Sequence, residues 1–244
     1  AGKTTTISMI SGLLAPTSGD AKIGGYSITK QPMEAKKLLG VVPQEIALYP
    51  MLTARQNLEF FGKMYGLGGK ELAASVDEVL DFTDLRDRAK DRVETFSGGM
   101  KRRVNIGVGL LHKPRLVYMD EPTVGVDPQS RRRILDTVIR LREERNMTVL
   151  YTTHLMEEAQ ELSNRVGIVD MGKVIALGTV GELIQQVGEE DRLVLNVHGA
   201  VADLLEDKPG ASARLGAMLP ATCRTATDAL LPSSTIFPMN NTAM

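Results

Sequence analysis

The sequence predicts an α/β fold, a parallel sheet with helices on its faces and a block of helices inserted between two strands. Three observations carry this expectation. Short apolar runs at 40–42, 116–119 and 148–153 alternate with stretches of helical spacing, which implies parallel strands joined through helices. Each run stops abruptly at a polar residue, Gln44 after Pro43, the pair Asp120-Glu121, and His154. Buried strands end this way where ligands gather at the carboxyl edge of an open sheet.

Each element follows in order from its residues. In 3–13, Ile7, Ile10, Leu13 and Leu14 fall on one helical face, with Gly12 at a fraying end. Residues 15–19 form a loop, and 21–23 with 26–28 form a small antiparallel hairpin about Gly24-Gly25. Residues 36–39 lead into the strand 40–42. From 44 to 113 the pattern is helical. Thr53 is an N-cap with Gln56 at the capping-box position, opening a helix through Met64. Gly66, Gly68 and Gly69 break it. Leu72, Val76, Val79 and Leu80 mark a second helix over 70–82, and a third runs from Ser97 to about 111.

The strand 116–119 comes next. Asp127 as N-cap and Pro128 at the first helical position open a helix to about 144. The strand 148–153, a helix over 155–162, and a hairpin of 165–169 with 173–177 complete the pattern. Beyond it lie a short helix at 180–187, a strand at 193–197, and a loosely ordered tail from about 208.

Bulk properties narrow the class. An apolar share of 43% and a charged share of 24% are ordinary for a globular protein. A net charge of −1 supplies no attraction for nucleic acid. The lone Cys223 excludes an internal disulfide and points to a reducing compartment. No apolar run approaches the roughly 18 residues of a membrane span, so membrane association is expected to run through a partner.

The charged motifs carry the chemistry. Two adjacent carboxylates at the end of an apolar strand are costly unless a metal or reacting group is present. Gly2-Lys3-Thr4 is the last part of the phosphate-loop pattern G-x-x-x-x-G-K-[ST], and the chain reads as beginning inside it. Gly2, Lys3, Thr4 and Thr5 are then the nucleotide-binding residues of this stretch, with Lys3 countering β- and γ-phosphate charge and the Thr4 hydroxyl ligating Mg²⁺. Ser97-Gly98-Gly99 offers bare N–H groups at a second helix N-terminus. Lys101-Arg102-Arg103 and Arg131-Arg132-Arg133 read as solvated helix faces, without the aromatic interleaving of nucleic-acid binders.

With FSGGMKRR, LVYMDEPTVGVD, TTHLMEEA and VVPQEIALYPMLTARQNLEFFGKMYGL on one chain, residues 1–185 resemble the ATP-binding subunit of an ABC transporter. Within that superfamily they are similar to bacterial exporters of the drug and antibiotic resistance group. The resemblance implies a P-loop NTPase (RecA-like) core, incomplete over 1–43 and resumed over 114–178. It implies a helical subdomain over 44–113 and a C-terminal extension over 179–244. ATP and Mg²⁺ are the implied ligands.

By the same resemblance Gln44 touches Mg²⁺ and the attacking water, and Asp120 holds Mg²⁺ through water. Glu121 acts as general base or orients the attacking water, and burial beside Asp120 is expected to raise its pKa. His154 hydrogen-bonds the γ-phosphate. Ser97, Gly98 and Gly99 contact ATP held by a second subunit, Asp127 crosses the dimer interface, and Met100 stands where the family usually has Gln. The implied partners are a second ATP-binding subunit, head to tail, and an integral membrane permease, with no nucleic acid. The implied place is the cytoplasmic face of the bacterial plasma membrane, held peripherally. Two alternatives stay open, a soluble ABC-type ATPase acting on nucleic acid or ribosomes and a catalytically incompetent fragment. The half-loop predicts weak or no ATP binding by residues 1–244 alone.

Overall fold

The computed structural model describes residues 2–187, and the strand expected at 193–197 and the tail from 208 lie outside them. In chain order the elements are α1 (Lys3–Ile10), β1 (Lys22–Ile23), β2 (Tyr26–Ser27), α2 (Pro32–Lys37), β3 (Leu39–Val42), α3 (Ala54–Met64), α4 (Gly69–Phe82) and α5 (Gly98–Leu110). There follow β4 (Leu116–Asp120), α6 (Pro128–Arg145), β5 (Thr148–Thr152), α7 (Met156–Leu162), β6 (Val166–Asp170), β7 (Lys173–Gly178) and α8 (Val180–Val187).

β4 lies between β3 and β5 in a three-stranded parallel sheet, with Val42 beside Met119 and Asp120 beside Thr152. Because side chains alternate along a strand, β4 serves two cores. Val117 and Met119 join Leu58, Ile106 and Ile134 on one face, while Tyr118 joins Ile7, Ile28 and Leu39 on the other. The two hairpins, β1–β2 and β6–β7, are antiparallel as their glycine turns predict.

The local signals at helix starts are realised. Thr53 Oγ1 accepts from Gln56 N and Gln56 Oε1 accepts from Thr53 N, a full capping box. Asp127 caps α6 through Ser130 N, with Pro128 at the first helical position. Leu72, Val76, Val79 and Leu80 are all buried.

Three expectations are corrected. α1 stops at Ile10, so Leu13 and Leu14 fall beyond the helix and are exposed. Residues 44–53 are not helical. Buried Asn57 holds that loop instead, bonding both N and O of Tyr49 and the carbonyl of Thr53. The short helix α2 was not expected. Pro32 sets its first turn and only Ala35 is buried, so it shows no apolar period.

α5 is buried along nearly its whole length, from Arg102 to Leu110. Its glycines bring its backbone against the sheet. A methyl on Gly40 of β3 would sit 2.2 Å from the Gly109 carbonyl oxygen, and one on Gly109 would sit 2.9 Å from a Val42 methyl. Gly40→Ala is therefore expected to cost about 2–3 kcal/mol, since backbone atoms must part to admit the methyl. The urea midpoint measures it, and an unchanged midpoint would show that the contact is not close.

Arg102 and Arg103 are each 5% exposed, which corrects the reading of 101–103 as a solvated face. Arg103 donates to the carbonyls of Thr83 and Asp84, and Arg102 to those of Pro43 and Gln44. Loop carbonyls thus take one terminal nitrogen of each guanidinium, while Arg102 Nε stays buried without a partner. The other basic run differs. Arg132 and Arg133 are exposed, and Arg132 pairs with Asp136 and Glu161. Among the described residues no helix is long and apolar enough to cross a membrane.

Candidate functional site

The parallel register brings three strand ends to one edge of the sheet. β3 delivers Pro43 and Gln44, β4 delivers Asp120 and Glu121, and β5 delivers Thr153 and His154. The start of α1 meets them there. Lys3 is buried, and its Nζ donates to Glu121 Oε1 at 2.9 Å and to the Thr153 carbonyl at 3.2 Å. His154 Nδ1 lies 3.4 Å from Glu121 Oε2. Residues from two distant parts of the chain therefore converge on one carboxylate.

The backbone at Glu121 is unusual. Its φ of 44° lies in the left-handed region, which a non-glycine side chain enters at a cost of about 1–3 kcal/mol. The following Pro122 disfavours the right-handed helical alternative. Thr152 holds this corner, since its Oγ1 donates to Asp120 Oδ1 at 2.7 Å and accepts from Glu121 N at 3.0 Å. Thr152 is not among the residues that the sequence singles out. Its one signal there is a hydroxyl at the end of an apolar strand, and the register sets it directly beside Asp120.

Burial pushes the Glu121 carboxyl up, but the Lys3 hydrogen bond and charge, aided by His154, outweigh it and hold the pKa below the usual glutamate value. This corrects the expectation of a raised pKa. Desolvation acts with the expected sign, but the nearby ammonium wins. As described, Glu121 is an ionised, poorly basic carboxylate.

The other expected residues are placed as follows. Gly2 precedes α1 with φ 92°, while Thr4 and Thr5 in its first turn are exposed. Gln44 is exposed, and its carbonyl is clasped by Arg102 Nη1 at 2.6 Å. Asn105 Nδ2 donates to the neighbouring Pro43 carbonyl. Ser97 caps α5, its Oγ accepting from Met100 N at 3.2 Å. Gly98 faces open space. Gly99, however, is buried against α6, where an added methyl would lie 2.2 Å from Ser130 Oγ. Asp127 is exposed at the start of α6, and its bonds to Ser130 lower its pKa. The structure thus gathers Lys3, Asp120, Glu121 and His154. Ser97 and Asp127 stand apart from them at the exposed starts of α5 and α6.

The donor set suits a hard divalent cation bound with phosphate. Among the described residues no group of three or more His, Cys, Asp or Glu side chains forms a metal cage. One buried carboxylate, Asp120, and the Thr4 hydroxyl in the first turn of α1 are oxygen donors of the kind Mg²⁺ uses with substrate phosphates and water.

Comparison with known proteins finds relatives of this chain. Residues 1–124 match the family described as ABC transporter. The linearmycin resistance ATP-binding protein LnrL of Bacillus subtilis is 56% identical over 82% of this chain and 64% of its own length. The daunorubicin resistance ATP-binding protein DrrA3 of Streptomyces coeruleorubidus is 39% identical, over 77% and 59%. The doxorubicin resistance protein DrrA of Mycobacterium tuberculosis is 36% identical, over 90% and 64%. The chain thus spans about three fifths of the length of these relatives. A solved ATP-binding subunit of an ABC transporter superposes with a TM-score of 0.66 at 30% identity, over 77% of this chain and 78% of that one. A dimeric ATP-binding cassette in a post-hydrolysis state with ADP and Pi superposes with a TM-score of 0.64 at 27% identity, over 73% and 80%.

Proposed function

This chain belongs to the ABC transporter family of ATP-binding proteins, and from that premise we propose that it binds and hydrolyses ATP to drive export through a separate membrane permease. The carrying observation is the meeting of Lys3, Glu121 and His154 at the end of the strand that bears Asp120. The α1 N-terminus receives phosphate on its free N–H groups, and Lys3 adds the charge. Mg²⁺ held by Thr4 and Asp120, with Gln44 alongside, would neutralise charge developing on the phosphates.

An arriving triphosphate competes with Glu121 for the Lys3 ammonium. Once Lys3 turns to phosphate, burial is the main influence left on Glu121 and its basicity rises. Glu121 then accepts the proton of the attacking water, while His154 holds that water and the γ-phosphate in line. ATP is the energy source, and the similarity to resistance proteins supports a drug or antibiotic as cargo.

Two copies head to tail place Ser97 and Gly98 of one chain over ATP held by the other, and Asp127 across the interface. A permease has a surface to meet beside Gln44. Ile46, Tyr49, Met51, Phe60, Met64 and Tyr65 are exposed apolar residues of the loop 44–53, α3 and its C-cap. The Tyr49 and Phe60 rings pack edge to face at 4.8 Å, which orders that part of the surface. Docking there puts the chain at the cytoplasmic face of the membrane.

Ser97→Asp in the full-length protein tests the shared site. Asp caps a helix as well as Ser does, so the fold is retained. Its charge against the partner's γ-phosphate is expected to lower turnover about tenfold or more. Wild-type turnover per molecule should also fall on dilution. Turnover unchanged by both dilution and the substitution would refute the head-to-tail arrangement.

A further inference from the structure

Behind His154 lies a buried carboxylate that the proposed hydrolysis does not use. Glu158, in the first turn of α7, has a side chain 3% exposed. Its Oε2 accepts from Thr153 Oγ1 at 2.7 Å and from Tyr151 OH at 3.0 Å. The same Thr153 hydroxyl accepts from Leu155 N at 3.0 Å, closing a small turn around His154. The Thr153 carbonyl is the one that accepts from Lys3. Glu158 therefore fixes the peptide segment that aims His154 and steadies Lys3.

The second oxygen of Glu158 is unfinished. Oε1 is buried with no hydrogen-bond partner, and so is Nε of Arg131. The two atoms are 3.9 Å apart, too far for a hydrogen bond and close enough for a small rotation to make one. Each orphaned group carries a desolvation cost that closing the gap would remove. Arg131 sits in the first turn of α6, and its backbone N donates to the carbonyl of the cap residue Asp127. Its side chain is 38% exposed, so it has room to move. The cap residue and Arg131 are thus joined through one turn of helix backbone.

We propose that Glu158 is a positioning residue for His154, and that closure of Arg131 onto Glu158 relays the position of the α6 start to the hydrolytic site. This rests on the reading that His154 serves the γ-phosphate and Asp127 meets a second subunit. In the closed state the guanidinium completes the carboxylate, the Thr153 turn stiffens, and His154 is held in line. In the open state that turn is held from one side only.

The test is a double-mutant cycle on turnover in the full-length protein. Glu158→Gln keeps shape and one acceptor oxygen but removes the charge. It is expected to lower kcat about tenfold to a hundredfold with KM for ATP within about twofold, because aim is lost and binding is not. Arg131→Gln, at a partly exposed side chain, should lower kcat to a similar degree without lowering the urea midpoint. The double variant should be no slower than the slower single one, since both changes break one link. Wild-type kcat in either single variant, or losses that multiply in the double, would overturn the proposal. If the wild type turns over ATP and Glu121→Gln abolishes it while Glu158→Gln is unaffected, this inference alone fails. If Glu121→Gln keeps full turnover, the underlying reading fails with it.

Discussion

Glu121→Gln in the full-length protein is expected to bind ATP as tightly as the wild type and to lose turnover by about 10²–10⁴-fold. The amide keeps an oxygen to accept from Lys3, the interaction at 2.9 Å that spans 118 residues of sequence. It also keeps the backbone that turns at φ 44° and the bond that the Glu121 peptide nitrogen donates to Thr152 Oγ1. Neither fold nor phosphate contacts are therefore at risk. A carboxylate able to take a proton, and charged enough to orient the His154 ring, is removed. Binding titration with ATP, followed by phosphate release in a single turnover, separates the two effects. Turnover within a few-fold of wild type would remove Glu121 from the role of base. Loss of binding in proportion to turnover would make it a ligand-holding group instead.

What can be read from the residues divides by distance along the chain. The capping box at Thr53-Gln56 and the Asp127-Pro128 start of α6 are written within four residues, and both are legible. The β4 strand with its acidic end is legible because an apolar run closed by paired charge fits little besides a buried strand that meets a ligand. Arg102 and Arg103 are not. Their acceptors come from 43–44 and 83–84, and only packing of α5 against those loops reveals that the charges are buried. The pKa of Glu121 is hidden for the same reason, because burial is visible as a strand end whereas the Lys3 ammonium arrives from a distant part of the chain. Gly99 shows a subtler limit. Ser-Gly-Gly at a helix start suggests two phosphate-facing glycines, yet Ser130 packs where a side chain on Gly99 would stand, leaving Gly98 in the open. Spacing marks the motif, and the neighbouring helix decides which residue faces outward.

Lys3→Met is expected to weaken ATP binding by about a hundredfold, some 3 kcal/mol, through loss of charge-assisted bonds to phosphate. It should also alter the protein without nucleotide, and in a direction that can be worked out. In the wild type the folded-state pKa of Glu121 lies below its unfolded value. Such a group stabilises the fold above the unfolded pKa, and the contribution is lost as pH falls through the folded one. Methionine fills the space of Lys3 but removes its hydrogen bond and charge, so burial pushes the carboxyl upward. The variant should then be less stable than wild type at neutral pH by about 1–3 kcal/mol, the cost of leaving a largely buried carboxylate without its cation. At a pH below the titration of Glu121 in both forms that deficit should close, because a protonated carboxyl no longer needs an ammonium. Urea midpoints at neutral and acid pH measure the deficit, and carbon-detected NMR of the Glu121 carboxyl follows the shift. A deficit of equal size at both pH values would mean that Lys3 supports the fold by packing. In that case the ion pair would not be what holds the carboxylate down, and its release by an arriving phosphate could not be what makes Glu121 basic.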